Sequence, residues 1–218
     1  MHEFTEWPKT KRLFRDIVVT EKLDGTNSAV HIASVPDWPL TGVPDNSYTL
    51  VVDGARYIIT AQSRKRLIWP GKTTDNYSFA GWAYDNAADL VRILGEGLHF
   101  GEWWGQGIQR GYGLEEKRFS LFNTARWFAT REDGLDSMST RASTSALAGQ
   151  IGAVPVLYAG VFDESTIMGA LTDLHWGGSV AAPGFDRPEG ICVYHSQSRT
   201  VYKVTLDRQD AGKWESAA

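Results

Sequence analysis

The chain holds one cysteine, Cys192, in 218 residues. That excludes an internal disulfide and any cysteine-built zinc site, and it fits a reducing compartment. No apolar run approaches a membrane span, and the opening MHEFTEWPKTKRLF lacks the apolar core of a signal peptide. The expectation is a soluble, cytoplasmic protein with no membrane partner. Positive charge is not in excess: 22 Lys and Arg stand against 26 Asp and Glu, a net charge of −4. A sequence-independent nucleic-acid coat protein would be basic, so any contact with a polynucleotide must run through a local patch. Two such patches exist, Lys9, Lys11, Arg12 and Arg15 near the start, and Arg64, Lys65 and Arg66. Taken alone, each is an ordinary solvated face.

Several catalytic signatures are missing too. The 5 histidines are scattered, with no HxxxH pair. There is no GxSxG nucleophile elbow, no internal repeat and no low-complexity tract. PGKTTD (70–75) ends like a P-loop, but the first glycine of that pattern would fall at 66, where Arg66 stands. GQGIQRG (105–111) resembles a dinucleotide fingerprint whose third glycine comes one residue late, and it reads as a loop after a strand.

What is present is mostly β. Strand patterns cover 17–22, 28–34, 48–62 around Asp53-Gly54, 98–104, 119–128, 155–160, 190–195 and 200–206. Helical spacing covers 79–94, stopping near Gly95 and Gly97, and 164–174 after Asp163 as N-cap, with a weaker pattern at 141–149. Pro/Gly-rich loops fall at 36–47, 132–140 and 177–189. Strands outnumber helices without alternating with them, which predicts an α+β fold with largely antiparallel sheets. No stretch looks like a linker between two cores, so residues 1–218 are expected to form a single domain.

One short stretch asks for chemistry. In Glu21-Lys22-Leu23-Asp24-Gly25-Thr26-Asn27 a lysine sits between an apolar run and an Asp-Gly turn. The turn alone needs no lysine. A lysine amine attacks phosphorus only as the neutral base, so a nucleophilic Lys22 needs burial or neighbouring cations. KLDGTN resembles the first motif of the covalent nucleotidyltransferases, the ATP-dependent RNA and DNA ligases and the mRNA-capping guanylyltransferases. Further segments resemble that superfamily's later motifs, in order: Ser63-Arg64, FGEWWG (100–105) with Glu102, RFSLFN (118–123), PEGICVY (188–194) with Glu189, and TVYKVTL (200–206) with Lys203. Asn27, where capping enzymes and most DNA ligases carry arginine, together with Glu21 and the lead-in PKTKRLFRDIVVTEK, resembles the nick-sealing RNA ligases of phages and RNA editing.

The resemblance implies an adenylation domain of the nucleotidyltransferase, ATP-grasp-like type. Two largely antiparallel sheets would carry flanking helices, with the nucleotide in the cleft between them. Lys22 would attack the α-phosphate of ATP and hold AMP, and Lys203 would neutralise charge on that phosphate. Glu21 and Asn27 would contact the nucleoside, and Arg64 the ribose or phosphates. Glu102 and Glu189 would bind ribose or a divalent cation, Mg²⁺ or Mn²⁺. Phe119 would stack on adenine, with Phe122, of opposite strand parity, the alternative. Arg12, Arg15, Lys65 and Arg66 would contact the polynucleotide strand. The last motif of the family usually holds two lysines, and here Lys203 stands alone. The expectation at the C-terminus is that no OB or helical domain follows, which leaves either a minimal ligase or one that works with an accessory protein in place of that domain. The expected activity is that of an RNA ligase acting on nicked duplex or paired RNA ends. The alternatives are a minimal ATP-dependent DNA ligase and a non-catalytic nucleic-acid-binding relative.

Overall fold

Alternating burial defines β1 (Asp16–Lys22): Ile17, Val19 and Glu21 are buried on one face, and Val18, Thr20 and Lys22 are half-buried on the other. The coordinates are a computed structural model describing residues 3–35, 46–127 and 138–207. Of the loops expected at 36–47 and 132–140, residues 36–45 and 132–137 lie outside the described residues, and residues 138–140 are helical rather than loop.

The chain folds as two compact units, one made of residues 1–22 and 155–218, the other of 23–154. The second unit contains β2 (Thr26–Ser34), β3 (Tyr48–Val52), β4 (Ala55–Ser63), β5 (Leu67–Ile68), α1 (Phe79–Asp85), α2 (Ala87–Leu94), β6 (Gly97–Gly105), β7 (Lys117–Leu121), α3 (Thr124–Trp127), α4 (Met138–Ser143) and β8 (Ile151–Ala153). Its sheet runs β3-β4-β2-β6-β7-β8, with β5 paired to β4. All pairings are antiparallel except β7 with β8. Asp53 and Gly54 both take positive φ, 50° and 85°, as a two-residue hairpin requires. The helical pattern of 79–94 is broken in two at Asn86. There the Asn86 backbone and side-chain N–H groups both donate to the Trp82 carbonyl, closing α1 before α2 begins. The β-rich run 119–128 leaves the sheet after Leu121 and turns helical at Thr124. Asn123 receives the N–H of Arg126, an Asx-type start that overrides the β-propensity of the aromatic residues. Val30, Ile32, Ile59, Ala61, Trp103, Phe119 and Leu121 form the core with Phe79, Leu90 and Ile93 from α1 and α2.

The first unit contains β1, β9 (Val156–Val161), α5 (Glu164–Gly177), β10 (Gly190–His195) and β11 (Thr200–Thr205). Its sheet is antiparallel throughout, in the order β11-β10-β1-β9. Asp163 caps α5 by accepting the Thr166 N–H at 2.8 Å. Ile167, Leu171 and Leu174 of α5 pack on Ile17, Val19, Ile191 and Val193, so one face of this sheet is covered by a helix. Lys22 belongs to the other face.

Candidate active site

Lys22 is the last residue of β1, directly opposite Gly190, which is opposite Thr205. One step along, Thr20, Cys192 and Lys203 form the next transverse row. Strand alternation therefore puts Lys22 and Lys203 on the same face, two strands apart. Lys22 Nζ lies 2.5 Å from Glu189 Oε2, and both side chains are largely shielded. An ammonium and a carboxylate are held together at the end of the strand. Gly190 is required between them: its φ is +150°, and a Cβ there would collide with the Val204 carbonyl. The Glu-Gly pair of PEGICVY thus delivers a carboxylate beside the lysine through a turn that no larger residue would take.

Glu21 points the other way. Its side chain is buried, with Oε1 accepting from Ser179 Oγ at 2.6 Å and Oε2 accepting the backbone N–H of Val180 and of Ala181, each at 2.9 Å. Burial pushes the Glu21 carboxyl above the ordinary carboxylate range, and the hydrogen bonds from Ser179, Ala181 and Val180 pull it part of the way back. Both oxygens are committed to the 179–181 loop, on the face of β1 opposite Lys22.

In the other unit the register assembles a second group. Asn27 is directly opposite Glu102, which is opposite Ser120. The β2–β4 ladder ends at Ser28–Ser63, and Arg64 is the first residue of the bend that follows. Asn27, Glu102 and Ser120 therefore make one row across three strands, with Arg64 exposed on the bend after β4. The neighbouring row on the same face is Gln62, Ala29 and Phe100, with Phe122 continuing the alternation of β7 and donating its N–H to the Phe100 carbonyl at 3.0 Å. Phe100 is 42% exposed and Phe122 40%.

Phe119 lies on the opposite face. It is fully buried, with ring centroids 5.0 Å from Phe79 and 5.9 Å from Trp82. A ring enclosed by α1 has no face to offer a base, so Phe119 is a core residue and the exposed aromatics beside Glu102 are Phe122 and Phe100. Arg64, Lys65 and Arg66 are exposed on the loop between β4 and β5, with Arg66 Nη1 donating to the Thr74 carbonyl at 3.3 Å. Arg12 and Arg15 are exposed in the first unit, just before β1.

Two residues that the sequence reading passed over hold the lysine motif's aspartate. Arg110 Nε donates to Asp24 Oδ2 at 2.9 Å, and the Asp24 N–H donates to Tyr112 Oη at 2.8 Å. Tyr112 is buried edge-on against Trp104, whose indole N–H donates to Ser120 Oγ at 2.9 Å. Both come from GQGIQRG and the residue after it, the stretch set aside as a loop. Only its nearness to Glu102 in the chain hinted at a role. Gly25 fits this arrangement because a Cβ would strike the Trp103 carbonyl and the Trp104 Cβ. Among the described residues no group of three or more His, Cys, Asp or Glu gathers as a metal cage. No helix of the described residues is long and apolar enough to cross a membrane.

A family model described as RNA ligase matches residues 15–205. No curated protein matches the chain at a significant level. Solved structures with a similar fold include the Naegleria gruberi RNA ligase with pyrophosphate (TM-score 0.52, 17% identity, 90% of this chain and 52% of that one). A variant of the same Naegleria gruberi protein with ATP and Mn gives TM-score 0.52 and 16% identity over 88% of this chain and 49% of that one. Another, with AMP and Mn, gives 0.51 and 16% over 89% and 51%. The chain spans about half the length of these solved relatives.

Proposed function

The chain belongs to the RNA ligase family, and from that premise we propose that it is an ATP-dependent ligase joining a 3′-hydroxyl to a 5′-phosphate on RNA through a lysyl-AMP intermediate. The observation that carries this reading is the Lys22–Glu189 pair at the end of β1, on the sheet face that Lys203 shares. A lysine placed for solvent contact alone would not end a strand against a shielded carboxylate.

In the proposed first step Lys22 Nζ, after losing a proton, attacks the α-phosphorus of ATP. The P–N bond forms, the bond to the bridging oxygen breaks, and pyrophosphate leaves. Lys203 faces the same side of the sheet and neutralises charge developing on the α-phosphate. Glu189 orients the Nζ before attack. AMP then passes to a 5′-phosphate, and the attack of a 3′-hydroxyl on that activated end seals the strand and releases AMP.

Asn27 and Glu102 are adjacent hydrogen-bonding groups suited to ribose hydroxyls, and the exposed Arg64 after β4 suits a ribose or phosphate oxygen. Phe122, with Phe100 beside it, offers the apolar face for the adenine. Arg110 and Tyr112 act through Asp24 as positioning residues.

The donor chemistry fits a hard divalent cation, Mg²⁺ or Mn²⁺. Glu189 and Glu102 carry hard carboxylate oxygens, and with no cage of three such side chains among the described residues the ion would be completed by water and phosphate oxygens. Such an ion, held by Glu189 or Glu102, would screen the triphosphate's charge. The reading is tested by incubating the chain with Mg²⁺ and either ATP or GTP and weighing it. An AMP adduct that Lys22→Ala abolishes supports it. Sealing of nicks ending in a 3′ ribose against those ending in deoxyribose then tests the RNA assignment.

A further inference from the structure

The segment before β1 is unlike the rest of the surface. Residues 3–15 contain no helix or strand, and every one of them is exposed. Phe4 is 90% exposed, Trp7 85% and Phe14 70%. Interleaved with them are Lys9, Lys11, Arg12 and Arg15, against only two acids, Glu3 and Glu6, in a chain whose net charge is −4. None of these four cations forms an ion pair with a described residue.

The segment is nevertheless tied down at its base. Arg12 N–H donates to Gln197 Oε1 at 2.6 Å, His195 Nε2 is 2.7 Å from the Leu13 carbonyl, and Phe162 N–H donates to the Arg15 carbonyl at 2.9 Å. The Phe14 ring meets Phe162 edge-on, 6.1 Å between centroids. All of these partners belong to the first unit. Residues 3–11, beyond that anchor, make no hydrogen bond or ion pair with another described residue.

We propose that residues 3–15 are an arm that takes a single-stranded stretch of RNA, with Phe4 and Trp7 as stacking faces and Lys9, Lys11, Arg12 and Arg15 on its phosphates. The identity of the partner rests on the ligase reading above. Flat π faces followed by unpaired cations match the two features that every nucleotide presents, a base and a phosphate. A membrane surface is the poorer fit, because Pro8 and the absence of a helix deny the segment an amphipathic face. An extended arm with an anchored base can follow a strand whatever its sequence, as a sealing enzyme needs.

The test uses the full chain and a fluorescein-labelled single-stranded RNA on the order of twelve nucleotides long, read by anisotropy over a salt series. Lysyl-AMP formation, which involves no RNA, runs alongside, with the melting temperature as the check of folding. Phe4→Ala/Trp7→Ala should weaken RNA binding by about fivefold or more. Lys9→Ala/Lys11→Ala should lower the slope of log affinity against log salt by roughly 1.4, two phosphate contacts at about 0.7 each. Wild-type affinity and slope in both variants would overturn the arm, as would a wild-type chain that binds no RNA. So would self-association of the wild type that is lost in the Trp7 variant while RNA affinity holds. If the chain forms no lysyl-AMP but the variants lose RNA binding as stated, the arm stands and the ligase reading falls.

Discussion

Lys22 and Glu189 are 167 positions apart in number and 2.5 Å apart at their charged ends, brought together because β1 and β10 are antiparallel neighbours in register Lys22–Gly190. A carboxylate there does more than balance charge. It holds Nζ at one place at the end of the strand. Glu189→Gln keeps the shape and loses the charge. The expected outcome is a folded protein whose lysyl-AMP forms on the order of 100-fold more slowly, as expected when a reacting group loses its alignment. Single-turnover adenylylation with unchanged thermal stability is the measurement. A normal rate would remove Glu189 from the mechanism.

Glu21 gives the pH prediction. Its folded-state carboxyl titrates above the unfolded value, mainly because it is buried. The folded protein therefore binds that proton more tightly than the unfolded chain does. The Glu21 contribution is fully present below the unfolded value and is lost as pH rises through the folded one. Glu21→Gln removes that titration, so the stability curve should flatten in the weakly acidic range. It also turns an amide N–H₂ toward groups that donate, which should cost about 1–3 kcal/mol at neutral pH. Urea melts of both proteins across pH 4–7 check both statements, a range spanning the ordinary carboxylate value and about two units above it.

Much of this was legible in the chain. The order of the motifs could be read directly, because Lys22, Glu102, Glu189 and Lys203 each sit in a short pattern with its own turn or strand signal. β10 falls at 190–195 as expected, and the Asp53-Gly54 hairpin and the Asp163 cap are where local chemistry puts them. What could not be read was register. The parity of a strand says that Phe119 and Phe122 face opposite ways, but only the pairing of β7 with β6 tells which of them shares a face with Glu102. The surroundings of the Glu21 side chain were hidden for a related reason. Alternation sends adjacent strand residues to opposite faces, and only the fold shows that the 179–181 loop covers the face Glu21 takes. The break at Asn86 and the grip of Arg110 and Tyr112 on Asp24 are tertiary, set by partners distant in the chain.

The two phenylalanines should separate cleanly. Phe119→Ala empties a fully buried ring position and should cost about 3–5 kcal/mol of stability. Phe122→Ala removes an exposed ring and should leave the melting temperature nearly unchanged while raising the KM for ATP about tenfold, in the range of one lost base–aromatic stack. Thermal melts and adenylylation kinetics on the two variants are the measurements. An unaltered KM in Phe122→Ala would move the stacking role to Phe100.

The central claim is that Lys22 becomes covalently bonded to AMP. Intact-mass analysis after incubation with ATP and Mg²⁺ tests it most directly. The account predicts one AMP added to the wild-type chain, none with GTP, none in Lys22→Ala, and the adduct located on the peptide that contains Lys22. A wild-type chain that gains no mass with either nucleotide, or a Lys22→Ala chain that still gains AMP, would contradict it.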